Sequence, residues 1–254
     1  METRYILWTG GWDSTYRMVE LSRQELTVQP VYVIDDGRKS AEKEKEVMAD
    51  ILHALREHPQ TKATLMDVKY IPKQEIPANE AITLAYRKVR QEQSLGGQYD
   101  WLARLAVQYP GIELGVEKPL GQGGGCNTLI ARCGKLREQD GIYCIDRENS
   151  SRECVLLLGN FTFPIRGKTV VDMIDTVARW GYEDIMKKIW FCNAPIGGCV
   201  CGMCNPCRQK MEGGMDWLLP EAAQKRYRTH TKIRKLFGVK VGEAYRRLRC
   251  RGKQ

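Results

Sequence analysis

Residues 4 to 22 read Arg4-Tyr-Ile-Leu-Trp8, then Thr9-Gly-Gly-Trp-Asp-Ser-Thr15, then Tyr16-Arg-Met-Val-Glu-Leu-Ser22. An apolar run that stops at two glycines and resumes with helical spacing predicts strand, glycine loop and helix. Gly10 and Gly11 let the backbone approach a ligand without Cβ interference, and the first turn of a helix offers unpaired amides to an anion. The hydroxyls of Ser14 and Thr15 are expected to face outward beside those amides. The stretch therefore reads as a phosphate cradle built from Trp8, Thr9, Gly10, Gly11, Trp12, Asp13, Ser14 and Thr15. It carries neither the Gly-Lys-Ser/Thr of a Walker loop nor the glycine spacing of a dinucleotide fingerprint. Asp13 would sit beside phosphate charge, where it either caps the helix or addresses Mg2+ directly or through water. The plainer alternative is a glycine turn whose Asp or Ser only caps a helix.

Outward from this stretch, short apolar or alternating runs at Ile6–Trp8, Pro30–Ile34, Thr64–Tyr70, Ile112–Val116 and Val155–Leu158 suit strands. Helical spacing separates them. Met48, Ile51, Leu52 and Leu55 share one face of a helix beginning near Ala41; Ile82, Ala85 and Val89 form a second stripe, and Trp101, Leu102, Leu105 and Ala106 a third. All three are expected as core faces. The alternation predicts the α/β class, with a parallel sheet covered by helices on both faces and ligands at the carboxyl ends of the strands, where the glycine loop lies. Gly121 to Gly125 form a second glycine-rich loop, either a flap over a substrate or a surface excursion. The expected division is an α/β nucleotide-binding domain at 1–185 and a helical, metal-binding C-terminal region at 186–254.

The second dense signal is Phe191-Cys-Asn-Ala-Pro-Ile-Gly-Gly-Cys-Val-Cys-Gly-Met-Cys-Asn-Pro-Cys207. Two Cys-x2-Cys steps sharing Cys204 place the thiolates of Cys201, Cys204 and Cys207 on one tight turn. Cys192 can close a tetrahedron around Zn2+ at a Zn–S distance of about 2.3 Å. Such a site has no open position, so its metal would be structural. Gly202 lets the backbone fold close to the ion and Pro206 stiffens the turn. Cys199 makes a Cys-x-Cys with Cys201 and could stand in for Cys192, although so short a step is tight for one ion. Cys126, Cys133, Cys144 and Cys154 are spaced irregularly and read as small buried hydrophobes, with a second metal site as the alternative.

The chain has 254 residues, 10 cysteines and a net charge of +9. No signal-like h-region and no membrane-length apolar run is present, so a reduced, cytoplasmic protein that does not enter a membrane is expected. From Glu221 to Gln254 there are 12 Lys and Arg against 2 Glu, so the imbalance belongs to this tail and the rest is close to neutral. The tail could attract nucleic acid or the acidic face of a protein, or be a solvated helical surface. His53, His58 and His230 have no triad-like context and read as surface or helix residues first.

Thr9 to Thr15 resembles the Ser-Gly-Gly-x-Asp-Ser loop of the PP-loop ATP pyrophosphatases, with Thr for the first Ser. Within that superfamily the chain is similar to the 7-cyano-7-deazaguanine synthases, which carry this loop at their start and a Cys-x8-Cys-x2-Cys-x2-Cys zinc site near their end. Cys192, Cys201, Cys204 and Cys207 reproduce the spacing. Phe163-Pro-Ile-Arg-Gly-Lys-Thr-Val-Val-Asp-Met-Ile174 resembles the family's Pro-containing loop and Lys-led helix, which implies Lys168 as a phosphate partner. Val31 to Lys39 resembles its second strand and turn. Two family features are missing: an Arg-Asn pair gives way to Gln98-Tyr-Asp-Trp-Leu-Ala-Arg-Leu-Ala106, and a Tyr-Pro-Asp-Cys motif to Gly115-Val-Glu-Lys-Pro-Leu-Gly-Gln-Gly-Gly-Gly-Cys126.

The resemblance implies ATP, Mg2+ and Zn2+ as cofactors, with Asp13, Ser14 and Lys168 as catalytic residues. It further implies adenylation of 7-carboxy-7-deazaguanine and reaction with ammonia, through the amide, to the nitrile. The missing substrate motif leaves room for a diverged relative, such as those of anti-phage defence clusters, acting on a protein end or another carboxylate with the basic tail recruiting a partner. A zinc-bearing nucleic-acid-binding protein is the reading from a different class, with Tyr227 and Tyr245 among the tail's cations. A tRNA thiolation enzyme of the same superfamily fits less well, because no separate thiol pair is evident. A homodimer is compatible with all of these.

Overall fold

The glycine stretch folds into strand β1 (Thr3–Leu7), a turn, and helix α1 (Trp12–Ser22). The computed structural model describes residues 2–38, 40–119 and 124–251. After α1 the chain forms β2 (Thr27–Ile34), α2 (Ala41–Glu57), β3 (Thr64–Leu65) and β4 (Lys69–Pro72), then α3 (Glu80–Glu92), α4 (Gln98–Gln108) and β5 (Ile112–Glu113). It continues through α5 (Cys126–Cys133), a hairpin of β6 (Leu136–Gln139) and β7 (Ile142–Ile145), α6 (Arg152–Leu158), β8 (Phe161–Phe163), α7 (Val170–Trp180) and α8 (Glu183–Met186). The C-terminal part is helical: α9 (Asn205–Glu212), α10 (Glu221–Phe237) and α11 (Val239–Arg251).

The sheet runs β3-β2-β1-β5-β8-β7-β6, with β4 also pairing with β2. β1, β2, β3, β4, β5 and β8 are mutually parallel, and only the hairpin is antiparallel. From β1 the chain winds to one side through β2 and β4, then returns to β5 on the other side of β1. The β1–β5 boundary is therefore the switch point, where an open α/β sheet has its ligand crevice.

Side chains alternate between two cores as the pleat requires. Ile6, Val28 and Tyr32 pack with α1, α2, α7 and α8, whereas Leu7, Val31 and Val33 pack with α3, α4, α5 and α6. The three expected helical stripes are buried in these cores. Cys192, Val200, Cys201, Met203, Cys204, Cys207 and Ala223 belong to the first core together with Trp8 and Trp12. The two expected domains thus share apolar packing. No helix of the described residues is long and apolar enough to cross a membrane.

Two strand expectations need correction. Val155–Leu158 is not a strand but the end of α6, where the Ser151 hydroxyl caps the helix by accepting from the Cys154 amide. A four-residue apolar run does not by itself separate a buried strand from a buried helix turn. The strand is β8, three residues further on. Thr64–Tyr70 splits into β3 and β4, both pairing with β2. The β6–β7 hairpin adds an element to the sheet, and its turn, Asp140-Gly141, has positive φ at both residues, as the Asp-Gly pair favours.

Candidate functional site

The N-cap of α1 is Gly11 and no side chain caps it, so neither Asp13 nor Ser14 serves merely to close the helix. Gly10 has φ +67, and a Cβ there would press on Val47 and Met48 of α2. Across the switch point, Gly115 comes so close that a Cβ would meet the Ser14 amide nitrogen at 3.1 Å and the Asp13 Cβ at 3.2 Å. Glycine at this position lets the segment after β5 press against the start of α1.

A cleft of about 240 Å³ opens at this crevice. Leu7, Val31, Val33, Trp101, Leu102 and Leu114 form its apolar walls, and Trp8, Thr9, Gly11, Trp12, Asp13 and Ser14 its glycine-loop side, with Arg38 and Gln98 also lining it. Six of the eight expected loop residues therefore line one cavity; Gly10 and Thr15 do not. Thr15 corrects the expectation of an outward hydroxyl. It is fully buried and accepts a hydrogen bond from the Trp8 indole nitrogen at 3.0 Å, so it braces the loop from beneath. Lys168 lies away from the cleft, with its ammonium paired to Glu20 and 5.4 Å from the Tyr16 ring centroid. As expected it leads a helix, because Thr169 and Asp172 form a capping box at the start of α7.

Glu20 joins Lys168 to a buried ion network. Arg17 lies 3.2 Å from Glu20 and donates twice to Glu113 of β5, through Nε and a terminal nitrogen, each at 2.8 Å. This network ties α1 to the strand on the far side of the crevice. Its members were not singled out by spacing, because Arg17 and Glu113 are 96 residues apart.

Two further charges missed by sequence reasoning meet Asp13. Burial raises the Asp13 carboxyl above its usual range, opposed by the Lys210 ammonium. Glu117 is pushed up to about 7, first by burial and then by the charge of Asp13, with Lys210 again opposing. One Glu117 oxygen is buried without a hydrogen-bond partner. Lys210 arrives from α9, its ammonium 5.4 Å from the centroid of the Trp12 ring. Burial draws its proton affinity down, while Asp13 and Glu117 act to restore it. A signal for Lys210 was present: it follows Cys207 by three residues, one helical turn.

The four expected cysteines come together and are all buried, with their sulfurs within 4.8 Å of one another. Three of the separations are 3.4, 3.9 and 3.9 Å. A regular tetrahedron with metal–sulfur bonds of about 2.3 Å has edges of about 3.8 Å, so the group can hold a metal such as zinc. Backbone amides complete the surroundings: Cys201 N donates to Cys192 Sγ at 3.2 Å, and Met203 N and Cys204 N donate to Cys201 Sγ at 3.3 and 3.2 Å. Such bonds orient thiolates and disperse their charge. Cys199 is exposed and outside the group, in a small bridge with Ile196. The group that could hold a metal is therefore Cys192, Cys201, Cys204 and Cys207, without Cys199. No family model matches this chain, and no curated protein matches it.

Helix α10 clamps the cysteine turn. Arg226 donates to the carbonyls of Cys201 and Val200, each at 2.9 Å. Gly202 adopts φ +76, and a Cβ there would collide with the Ala223 carbonyl oxygen and carbon. We expect Gly202→Ala to cost about 3 kcal/mol or more, since it combines left-handed backbone with overlap against a helix rather than a flexible side chain. A lower denaturation midpoint and faster loss of metal to a chelator would be measured; unchanged values would mean that α10 yields freely.

Proposed function

We propose that the chain is an ATP-dependent enzyme of the PP-loop pyrophosphatase kind, which activates a carboxylate as its adenylate and passes it to a nitrogen nucleophile. The observation that carries this reading is the convergence of the glycine loop, the uncapped start of α1 and the β1–β5 crevice on one cleft. The apolar walls suit a nucleobase, and the amides at the helix start suit the phosphates. Asp13 would hold Mg2+, with Glu117 close by; two half-buried carboxylates in excess of one ammonium fit a cation. Mg2+ would supply positive charge against the polyphosphate.

The substrate best supported by the resemblance is 7-carboxy-7-deazaguanine. Its carboxylate oxygen would attack the α-phosphorus, and the bond to the pyrophosphate oxygen would break, leaving an acyl-adenylate. Ammonia would then attack the acyl carbon with loss of AMP to give the amide. A second ATP would activate the amide oxygen, and loss of AMP and protons would leave the nitrile. No covalent nucleophile on the protein is needed. The loop positions the reacting groups and offsets charge on the departing pyrophosphate. The four-cysteine metal would hold the C-terminal part against the sheet, since four thiolates leave it no open position.

The test is incubation of the protein with ATP, Mg2+, ammonium and 7-carboxy-7-deazaguanine, with products read by mass spectrometry. Asp13→Ala should retain fold and metal and lose turnover by about 10²-fold or more. Pyrophosphate release equal to that of the wild type would refute the role of Asp13, and absence of any ATP-dependent product in the wild type would refute the reading.

A second acceptor is favoured by one specific feature, the helical pair α10–α11. Arg228, Lys232, Lys235, Lys240 and Arg247 are exposed on it, and none of their side chains has an ion pair or hydrogen bond among the described residues. Leu236 and Phe237 stand exposed at its turn. A relative acting on a macromolecular carboxylate would use this surface to recruit a nucleic acid or an acidic protein. AMP formation that appears only on adding such a partner, and weakens steeply with salt, would select this acceptor; salt-independent turnover on the small molecule alone would exclude it.

A further inference from the structure

A polyphosphate at the glycine loop would be held more firmly by a side-chain cation, and the loop carries none: Thr9 to Thr15 contains no Lys or Arg. The neighbouring cations are committed elsewhere. Lys168 is paired with Glu20, and Arg38 lies 2.8 Å from Glu44, which also accepts from Ser40 and Tyr32. Lys210 differs. Its ammonium has no hydrogen bond or salt bridge among the described residues, yet it stands over Trp12, the first residue of α1, in the field of Asp13.

A metal held by the four cysteines would set this position through two paths, one along the chain and one that ends in a hydrogen bond. Cys204 is the N-cap of α9 and Cys207 lies in its first turn, so the ligands grip the start of the helix that carries Lys210 one turn later. On the other path, the Trp190 amide, two residues before Cys192, donates to the Gly10 carbonyl at 2.9 Å. One metal ion would therefore hold both the glycine loop and the lysine that faces it. Because α9 is only eight residues long, it has little stability of its own without that anchor.

We propose that Lys210, which does not itself line the cleft but stands beside the lining residue Trp12, is the phosphate-binding cation, delivered to the glycine loop by the four-cysteine centre to engage the polyphosphate of the bound nucleotide. The assignment rests on the nucleotide reading above and gives the cysteine centre a task beyond fold stability. Asp13 and Glu117 act on Lys210 only through their charge, and its ammonium is bound to neither of them. When the magnesium nucleotide arrives, the cation would take up the carboxylates and the ammonium would be free to meet phosphate oxygens. A lysine suits this exchange, because its single mobile ammonium can change partners without the fixed fork of an arginine.

The experiment compares wild type, Lys210→Met and Lys210→Arg as full-length, metal-loaded proteins. Binding of magnesium pyrophosphate and of magnesium ATP is measured by calorimetry at two salt concentrations, with zinc content and thermal midpoint determined in parallel. Methionine keeps an unbranched apolar stem against Trp12 and removes only the charge. Lys210→Met should keep one zinc per chain and its thermal midpoint while binding both ligands roughly tenfold to a hundredfold more weakly, as for loss of one charge-assisted contact. Its affinity should also depend less on salt, and Lys210→Arg should recover most of the loss. If wild type binds both ligands and Lys210→Met binds them equally well, Lys210 is not the cation and the nucleotide reading stands. If wild type binds neither, the nucleotide reading falls, and this assignment with it. Should Lys210→Met lose zinc or melt early, Lys210→Gln is measured in its place: a folded, zinc-loaded Gln variant that binds at least tenfold more weakly, with a shallower salt dependence, upholds the assignment, and one with wild-type affinity overturns it.

Discussion

Cys204→Ser is expected to lose its metal and the ordered packing of its C-terminal part together. Cys204 is shared by both Cys-x2-Cys steps, and its sulfur is 3.4 Å from that of Cys207 and 3.9 Å from that of Cys192. A serine hydroxyl is shorter, harder and uncharged at neutral pH, so three thiolates would remain buried without a closed shell. Apparent binding energies of structural zinc reach about 10–16 kcal/mol in small zinc domains, which rivals the entire stability of an ordinary protein, about 5–15 kcal/mol. The loss would not stay local. Cys192, Cys201, Cys204 and Cys207 lie in the same core as Trp8, Trp12 and Met48. We expect a zinc content near zero, a broadened melting transition and rapid proteolysis after residue 186. Full zinc content with an unchanged melt would remove Cys204 from the ligand set. Retained zinc and fold with lost turnover would instead assign the metal to chemistry.

Glu113→Ala should be the most damaging single change in the α/β part. The carboxylate is buried and receives two bonds from Arg17 at 2.8 Å, so its removal strands a guanidinium within the protein. Breaking a buried pair from one side costs about 3–5 kcal/mol, and the remaining contact of Arg17 with Glu20 places the expectation in the lower half of that range. Because removal of both charges spares the stranded ion, Arg17→Met combined with Glu113→Leu should recover much of the loss. Urea denaturation of the two single variants and the double variant measures this coupling. Additive losses would show that the pair does not act as a unit.

Much of the cleft was legible because it is local. Strand, glycines and helix start lie within residues 4 to 22, and that succession of backbone preferences needs no distant contact. Thr15 shows the limit of such reading. Its place in a helix follows from spacing, but whether its hydroxyl meets a ligand or the Trp8 indole depends on how the strand is rotated against the helix. Val155–Leu158 shows another limit: the Ser151 cap outweighed the β preference of a short apolar run. The Asp140-Gly141 pair is itself a hairpin signal, but its flanking strands of four residues each are too short to read as apolar runs.

The cysteine group divides the same way. Four buried cysteines in a Cys-x8-Cys-x2-Cys-x2-Cys pattern could be read from spacing, because two-residue steps bring sulfurs onto one turn whatever surrounds them. The choice between Cys192 and Cys199 could not, since both are close enough along the chain. It was made by the bridge at Ile196 and Cys199, which leaves Cys199 in solvent, and by the apolar core that closes over Cys192.

What these 254 residues settle on their own is therefore what short-range backbone geometry can enforce: a phosphate-suited turn, a thiolate cluster, an alternation of strands and helices, and a basic C-terminal tail. Only the fold decides that Arg17 meets Glu113, that Lys168 is spent on Glu20, and that Lys210 stands beside the glycine loop. Those pairings join charges far apart in sequence, and a charge selects its partner by distance and burial in the finished structure, neither of which is a property of neighbours along the chain.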